Sequence, residues 1–168
     1  GIESAGSITL YGYNVFNNNT LDGLNATSND DIIAYSLTAN DNVNNGVSLT
    51  ADKTQPALRS YVTKVKIKKK FKFVTVYYYV TTANITLYGP NNFYNNTNGD
   101  GLKASADGSI TLYDVNASFN GDDGADLTTT APGYGVTLYN TNYFTDNEHE
   151  GLVVNSAGAI TLYNINAD

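Results

Sequence analysis

Two short acidic clusters hold the residues best suited to moving protons. Gly121-Asp122-Asp123 and Glu148-His149-Glu150 carry four carboxylates and the single imidazole of the chain, and Asp126 follows just after the first cluster. Paired carboxylates can act as general acid and base at a glycosidic bond, so Asp122, Asp123 and His149 form the candidate catalytic set. Asp122, Asp123 and Asp126 are also hard oxygen donors of the kind Ca²⁺ prefers, which makes them a candidate structural calcium site. Zinc is excluded, because its sites need several His or Cys and the chain has one His and no Cys.

A second chemistry lies in the middle of the chain. Seven of the nine basic residues, Arg59, Lys64, Lys66, Lys68, Lys69, Lys70 and Lys72, fall between positions 59 and 72, and no acidic residue occurs from 53 to 99. Clustered lysines beside Phe71, Phe73 and Tyr77 to Tyr79 suit a polyanion such as an acidic cell-surface glycan, with nucleic acid the less favoured partner. The alternating Val65-Lys66-Ile67-Lys68 equally suits a strand whose lysines guard an exposed edge against aggregation. That plainer explanation is preferred, since runs of one charge are common on solvated surfaces.

What must position these residues is a repeat. Ile8-Thr9-Leu10-Tyr11 returns as Ile85-Thr86-Leu87-Tyr88, Ile110-Thr111-Leu112-Tyr113, Val136-Thr137-Leu138-Tyr139 and Ile160-Thr161-Leu162-Tyr163, with a worn copy at Ile32-Ile33-Ala34-Tyr35. Most steps are 24 to 26 residues; one is 53, so a further worn copy is expected near Leu58-Arg59-Ser60-Tyr61. A second motif follows each block, as in Ser36-Leu37-Thr38-Ala39, Asp114-Val115-Asn116-Ala117 and Asn164-Ile165-Asn166-Ala167. A third follows a polar turn: Asp22-Gly23-Leu24, Asn45-Gly46-Val47, Asp100-Gly101-Leu102, Asp123-Gly124-Ala125 and Glu150-Gly151-Leu152.

Within Ile-Thr-Leu-Tyr the apolar residues recur with period 2, so one face of each short strand is apolar. Three such strands per step of about 25 residues make one coil of a solenoid, rising about 4.8 Å per coil. Stacking then aligns Tyr11, Tyr35, Tyr88, Tyr113, Tyr139 and Tyr163 into one ladder, joined by Tyr61 if the worn copy is a rung, and Asn and Asp at the turns into others. Asp122-Asp123 sits at a turn that other coils fill with Asn44-Asn45 or Gly99-Asp100, which favours a turn role over a catalytic one.

The pattern Ile-Thr-Leu-Tyr-Asn-x-Asn-Ala followed by Asp-Gly-Leu resembles the right-handed parallel β-helix repeats of the pectate-lyase-like superfold, as found in large bacterial surface and secreted proteins. The resemblance covers residues 1–54 and 81–168. It implies an all-β parallel solenoid of about seven rungs of 24–27 residues, interrupted at 54–81 by a degenerate rung or basic hairpin insertion. The polygalacturonase-like branch couples Gly-Asp-Asp with Gly-His-Gly and Arg-Ile-Lys. Here His149 lacks flanking glycines and Lys66-Ile67-Lys68 precedes the acidic motif, so the chain departs from that enzyme pattern.

Fourteen Tyr and fifteen Gly, with no Cys, Met or Trp, fit strands and turns, exclude a disulfide scaffold, and leave no run of apolar residues long enough for a membrane span. The Thr row at 9, 86, 111, 137 and 161 reflects β-propensity more than an ice-binding face, because its neighbouring row is Tyr. Neither end carries the polar cap that closes a solenoid, so a fragment of a longer rod, or a subunit pairing with copies of itself, is expected. Together these features predict an extracellular or cell-surface structural or adhesive module, without a resident cofactor apart from the calcium candidate. A glycan-binding or glycan-cleaving β-helix is the alternative.

Overall fold

The computed structural model describes residues 1–54, 57–67 and 70–168. Their regular structure is all β, and no helix among them is long and apolar enough to cross a membrane. Three parallel sheets of six strands each run side by side, and the chain visits them in turn, one strand per sheet per rung. The first sheet takes Ile2–Ser4, Leu24–Ser28, Val47–Ala51, Leu102–Ala106, Ala125–Thr129 and Leu152–Ser156. The second takes Ile8–Leu10, Ile32–Tyr35, Ile85–Tyr88, Ile110–Tyr113, Val136–Tyr139 and Ile160–Leu162. The third takes Asn14–Val15, Leu37–Thr38, Asn91–Tyr94, Val115–Ser118, Asn142–Phe144 and Ile165–Ala167.

Pairing is in register: Ile8, Ile32, Ile85, Ile110, Val136 and Ile160 form one column. Each strand puts its alternate apolar residues inward, where Leu24, Ile32, Val47, Leu49, Ile85, Leu87, Leu102, Ile110, Leu112, Leu127 and Leu138 are buried. No single rung can enclose such a core, so adjacent rungs bury each other's faces and satisfy each other's backbone. This is the parallel β-solenoid that the repeat predicts.

The long step of the repeat resolves as one rung plus an insertion. After Val47–Ala51 the chain leaves the solenoid, forms the antiparallel pair Ala57–Ile67 and Lys70–Val80, and returns at Ile85–Tyr88 in the same rung. Leu58-Arg59-Ser60-Tyr61 is therefore no worn rung, and Tyr61 is not placed in the tyrosine column; both lie in the first hairpin strand. Eleven-residue strands rich in Val, Phe and Tyr pair with each other because they are close in sequence, so bringing them together has little entropic cost. The two ends of the insertion meet at one carboxylate. Asp107 accepts the N–H of Lys53 at 3.0 Å and of Ala83 at 2.5 Å, while Lys53 Nζ, nearly buried, pairs with Asp30 at 3.0 Å.

The third sheet alternates from rung to rung. Its first inward position reads Asn14, Leu37, Asn91, Val115, Asn142, Ile165, and its second reads Phe16, Ala39, Phe93, Ala117, Phe144, Ala167. Large side chains over small ones let successive layers interdigitate. Each Asn does the work of a missing turn partner. Asn91 accepts the N–H of Leu37 at 3.2 Å and donates to the carbonyls of Gly89 and Tyr113 at 2.7 and 2.8 Å; Asn142 repeats this with Val115, Tyr139 and Tyr163.

Candidate functional site

The turn entering the first sheet is built from two stacked columns. Gly23, Gly46, Gly101, Gly124 and Gly151 form one, and glycine is required there by contact: a Cβ on Gly124 would lie 2.4 Å from the carbonyl oxygen of Gly151. Beside it, Asp22, Asn45, Asp100, Asp123 and Glu150 form a ladder of side-chain oxygen to backbone N–H. Asp22 accepts from Asn45 at 3.1 Å, Asn45 from Asp100 at 3.0 Å, Asp100 from Asp123 at 3.2 Å, and Asp123 from Glu150 at 3.1 Å. Asp123 thus shares a structural task with Asp22, Asn45 and Asp100.

In the fourth and fifth rungs this ladder meets the imidazole. His149 Nδ1 lies 2.5 Å from Asp122 Oδ1, and one ligand atom from each of Asp122, Asp123 and His149 lies within 4.8 Å of the others. Burial pushes Asp123 up to about 6, with the side chain of Glu150 and the charges of Asp100 and Asp122 adding to it against the N–H of Glu150. The hydrogen bond and charge of Asp122 raise His149 above its ordinary value, with Glu150 and Asp123 adding to the effect. Two carboxylates and one imidazole can hold a proton between them, or offer oxygen and nitrogen donors to a divalent ion.

The calcium trio is not assembled. Asp126 Oδ2 is 3.0 Å from Lys103 Nζ, which also reaches Asp100 Oδ2 at 3.0 Å, and His149 stands in its place beside Asp122 and Asp123. Burial opposes the charge on Lys103, but hydrogen bonds to Asp126 and Asp100 outweigh it and raise the ammonium pKa. At Asp100 burial wins over the pull of Lys103 and raises the carboxyl.

Of the basic cluster, Lys64 lies with its ammonium 4.5 Å from the centre of the Phe71 ring, a cation–π contact within the hairpin. Lys68 and Lys69 lie outside the described residues, as do the side chains of Arg59, Lys66, Lys70 and Lys72.

The tyrosine ladder is continuous. Tyr11, Tyr35, Tyr88, Tyr113, Tyr139 and Tyr163 stack with ring centroids 4.9 to 5.6 Å apart and planes within 20° of parallel. Such offset pairs add about 0.5–1.5 kcal/mol each beyond burial. A ladder of Asn19, Asn42, Asn96, Asn120 and Asn147 runs inside the turn after the third sheet, and its three middle members are buried. Each of the first four donates backbone N–H and side-chain amide to the Oδ1 of the next at 2.8–3.2 Å.

A separate groove holds none of the acid–imidazole residues. It has a volume of about 540 Å³ and crosses rungs two to five on the outside of the third sheet, lined by Asn40, Asp41, Tyr94, Asn116, Phe119 and Tyr143 among others. The sequence carried a signal for it: stacked in register, Asn18, Asp41, Asn95, Phe119 and Asp146 share one left-handed turn position, and only Phe119 is not Asn or Asp.

The chain matches no protein-family model, no curated protein and no solved structure.

Proposed function

We propose that the chain serves as a structural or adhesive rod segment of an extracellular or cell-surface protein, holding apart what lies on either side of it and displaying its flanks. The supporting observation is the unbroken Tyr11 to Tyr163 stack, which runs through all six rungs in parallel with the Asx and Gly columns. Ladders that repeat in every rung stiffen an axis, whereas catalysis needs one rung to differ from its neighbours. The resemblance to right-handed β-helix repeats of bacterial surface proteins favours the same reading. Copies paired through unpaired strand edges would lengthen the rod using the contacts already present between rungs.

Electron microscopy of the native material tests this. Straight rods or filaments with a regular axial repeat are the expected result; compact particles without a preferred axis would sink the proposal.

One observation favours a second reading. A carboxyl raised to about 6 beside an imidazole–carboxylate pair is the pairing of acid and base that glycoside hydrolysis uses. Release of reducing sugar from a polysaccharide panel, abolished by Asp122→Asn and by His149→Gln, would favour the enzyme over the rod.

A further inference from the structure

We propose that the groove around Phe119 binds a neutral polysaccharide. The groove follows the rod axis across four rungs, about 14 Å by the rung spacing, and is of a size to seat a short stretch of a linear polymer. Tyr94, Phe119 and Tyr143 come from three successive rungs and place an aromatic ring at each step, the arrangement that receives the C–H faces of consecutive pyranose rings. Between them the amides of Asn40, Asn95 and Asn116 and the carboxylate of Asp41 supply the donors and acceptors that sugar hydroxyls need.

Phe119 carries a cost that packing does not explain. Its φ is +61°, a conformation that Asn and Asp tolerate and a bulky side chain rarely adopts, and the residue is 57 % exposed. The equivalent residues Asn18, Asp41, Asn95 and Asp146 hold the same turn without that strain. A strained backbone that presents an exposed aromatic ring into a groove is a recurrent mark of a binding site.

Charge selects the class of glycan. Asp41 lines the groove, and Asp146 and Glu148 line an adjoining hollow of about 390 Å³ on the other side of Phe119; no Lys, Arg or His lines either. An acidic polymer would meet like charges at short range, whereas the hydroxyls of a neutral one can donate to these carboxylates. The occupant here is therefore of a different class from the polyanion that the lysine cluster suggests. This inference stands independently of the rod proposal, because binding to one groove does not depend on the length of the assembly.

Calorimetric titration of the whole chain tests it, using hexaoses of β-1,4-glucose, α-1,4-glucose, β-1,4-xylose and β-1,4-mannose, with hexagalacturonate as the acidic probe. At least one neutral hexaose should bind, and hexagalacturonate should bind more weakly than it. Phe119→Asn should weaken that binding at least about tenfold, as expected for a central aromatic anchor, while leaving Tm unchanged or higher because the turn relaxes. Tyr143→Ala provides a second variant, on the neighbouring rung, and should also weaken binding. Absence of binding by every neutral hexaose at about 10 mM, hexagalacturonate binding as tightly as the best of them, or unchanged affinity in both variants would each overturn the proposal.

Discussion

His149 Nδ1 and Asp122 Oδ1 approach to 2.5 Å across two stacked turns, joining the fourth and fifth rungs at the ladder where Asp123 already holds the N–H of Glu150. The contact couples rung stacking to protonation. Both titrating neighbours, His149 and Asp123, have their folded-state pKa raised.

Stability should therefore fall as pH rises from about 4 to beyond 7. A raised His149 contributes fully below its ordinary 6.5, and that contribution is lost as pH climbs through its higher folded value. Asp123, raised from 3.8 to about 6, binds its proton more tightly when folded, so its ionisation between those values weakens the fold. Thermal unfolding followed from pH 4 to 8 should show a declining Tm. Asp123→Asn, which keeps an oxygen for Glu150 as Asn45 does for Asp100, should flatten the lower part of that decline, and His149→Gln the upper part. A Tm profile that rises with pH, or that neither variant alters, contradicts the assignment.

Gly124→Ala should be among the most damaging single-atom changes available. The added methyl meets the carbonyl oxygen of Gly151 at 2.4 Å and that of Ala117 at 2.8 Å, neither of which is a flexible side chain. Overpacking of this kind costs about 1–3 kcal/mol or more, a Tm loss of roughly 3–12 °C. Gly6→Ala, whose Cβ meets nothing within 4 Å, provides the control and should leave Tm nearly unchanged.

Asn120→Ala breaks the amide ladder. It leaves the backbone N–H and the side-chain amide of Asn96 without their acceptor, in a position closed to water. Each unmatched buried group costs about 1–3 kcal/mol, so a loss of about 3 kcal/mol in chemical denaturation is expected. Hydrogen exchange should rise first in the third and fourth rungs. A loss confined to tenths of a kcal/mol would mean that the ladder is dispensable.

Replacing residues 55–81 by a short Gly-Ser connection should preserve the solenoid. Lys53 and Ala83 bind the two oxygens of Asp107, so the ends to be joined already lie side by side. Near-ultraviolet circular dichroism from the tyrosine stack should persist with little change in Tm, whereas Asp107→Ala should destabilise more than the deletion does. Loss of the tyrosine signal on deletion would show that the hairpin is part of the core.

Much of this architecture was legible in the sequence because every rung restates the same local demand. Ile-Thr-Leu-Tyr repeats the period-2 face of the second sheet, and the column from Gly23 to Gly151 repeats a turn where no side chain fits. The third sheet was only half legible. Leu37, Val115 and Ile165 look like strand residues, while Asn14, Asn91 and Asn142 look like loop until the rungs are stacked and each amide finds its neighbours' carbonyls.

The sequence by itself determined the period, the strand faces and the columns of tyrosine, glycine and Asx residues, since these follow from side-chain size and alternation within a single rung. Tertiary structure alone decided that the long step is one rung with a hairpin. It also decided that His149 rather than Asp126 joins Asp122 and Asp123, and that Phe119 stands over a groove with Tyr94 and Tyr143. The physical reason is the axis along which each is set. Alternation is a property of neighbours along the chain, but contacts between rungs depend on how insertions and turn lengths bring distant residues into one hydrogen-bonded register.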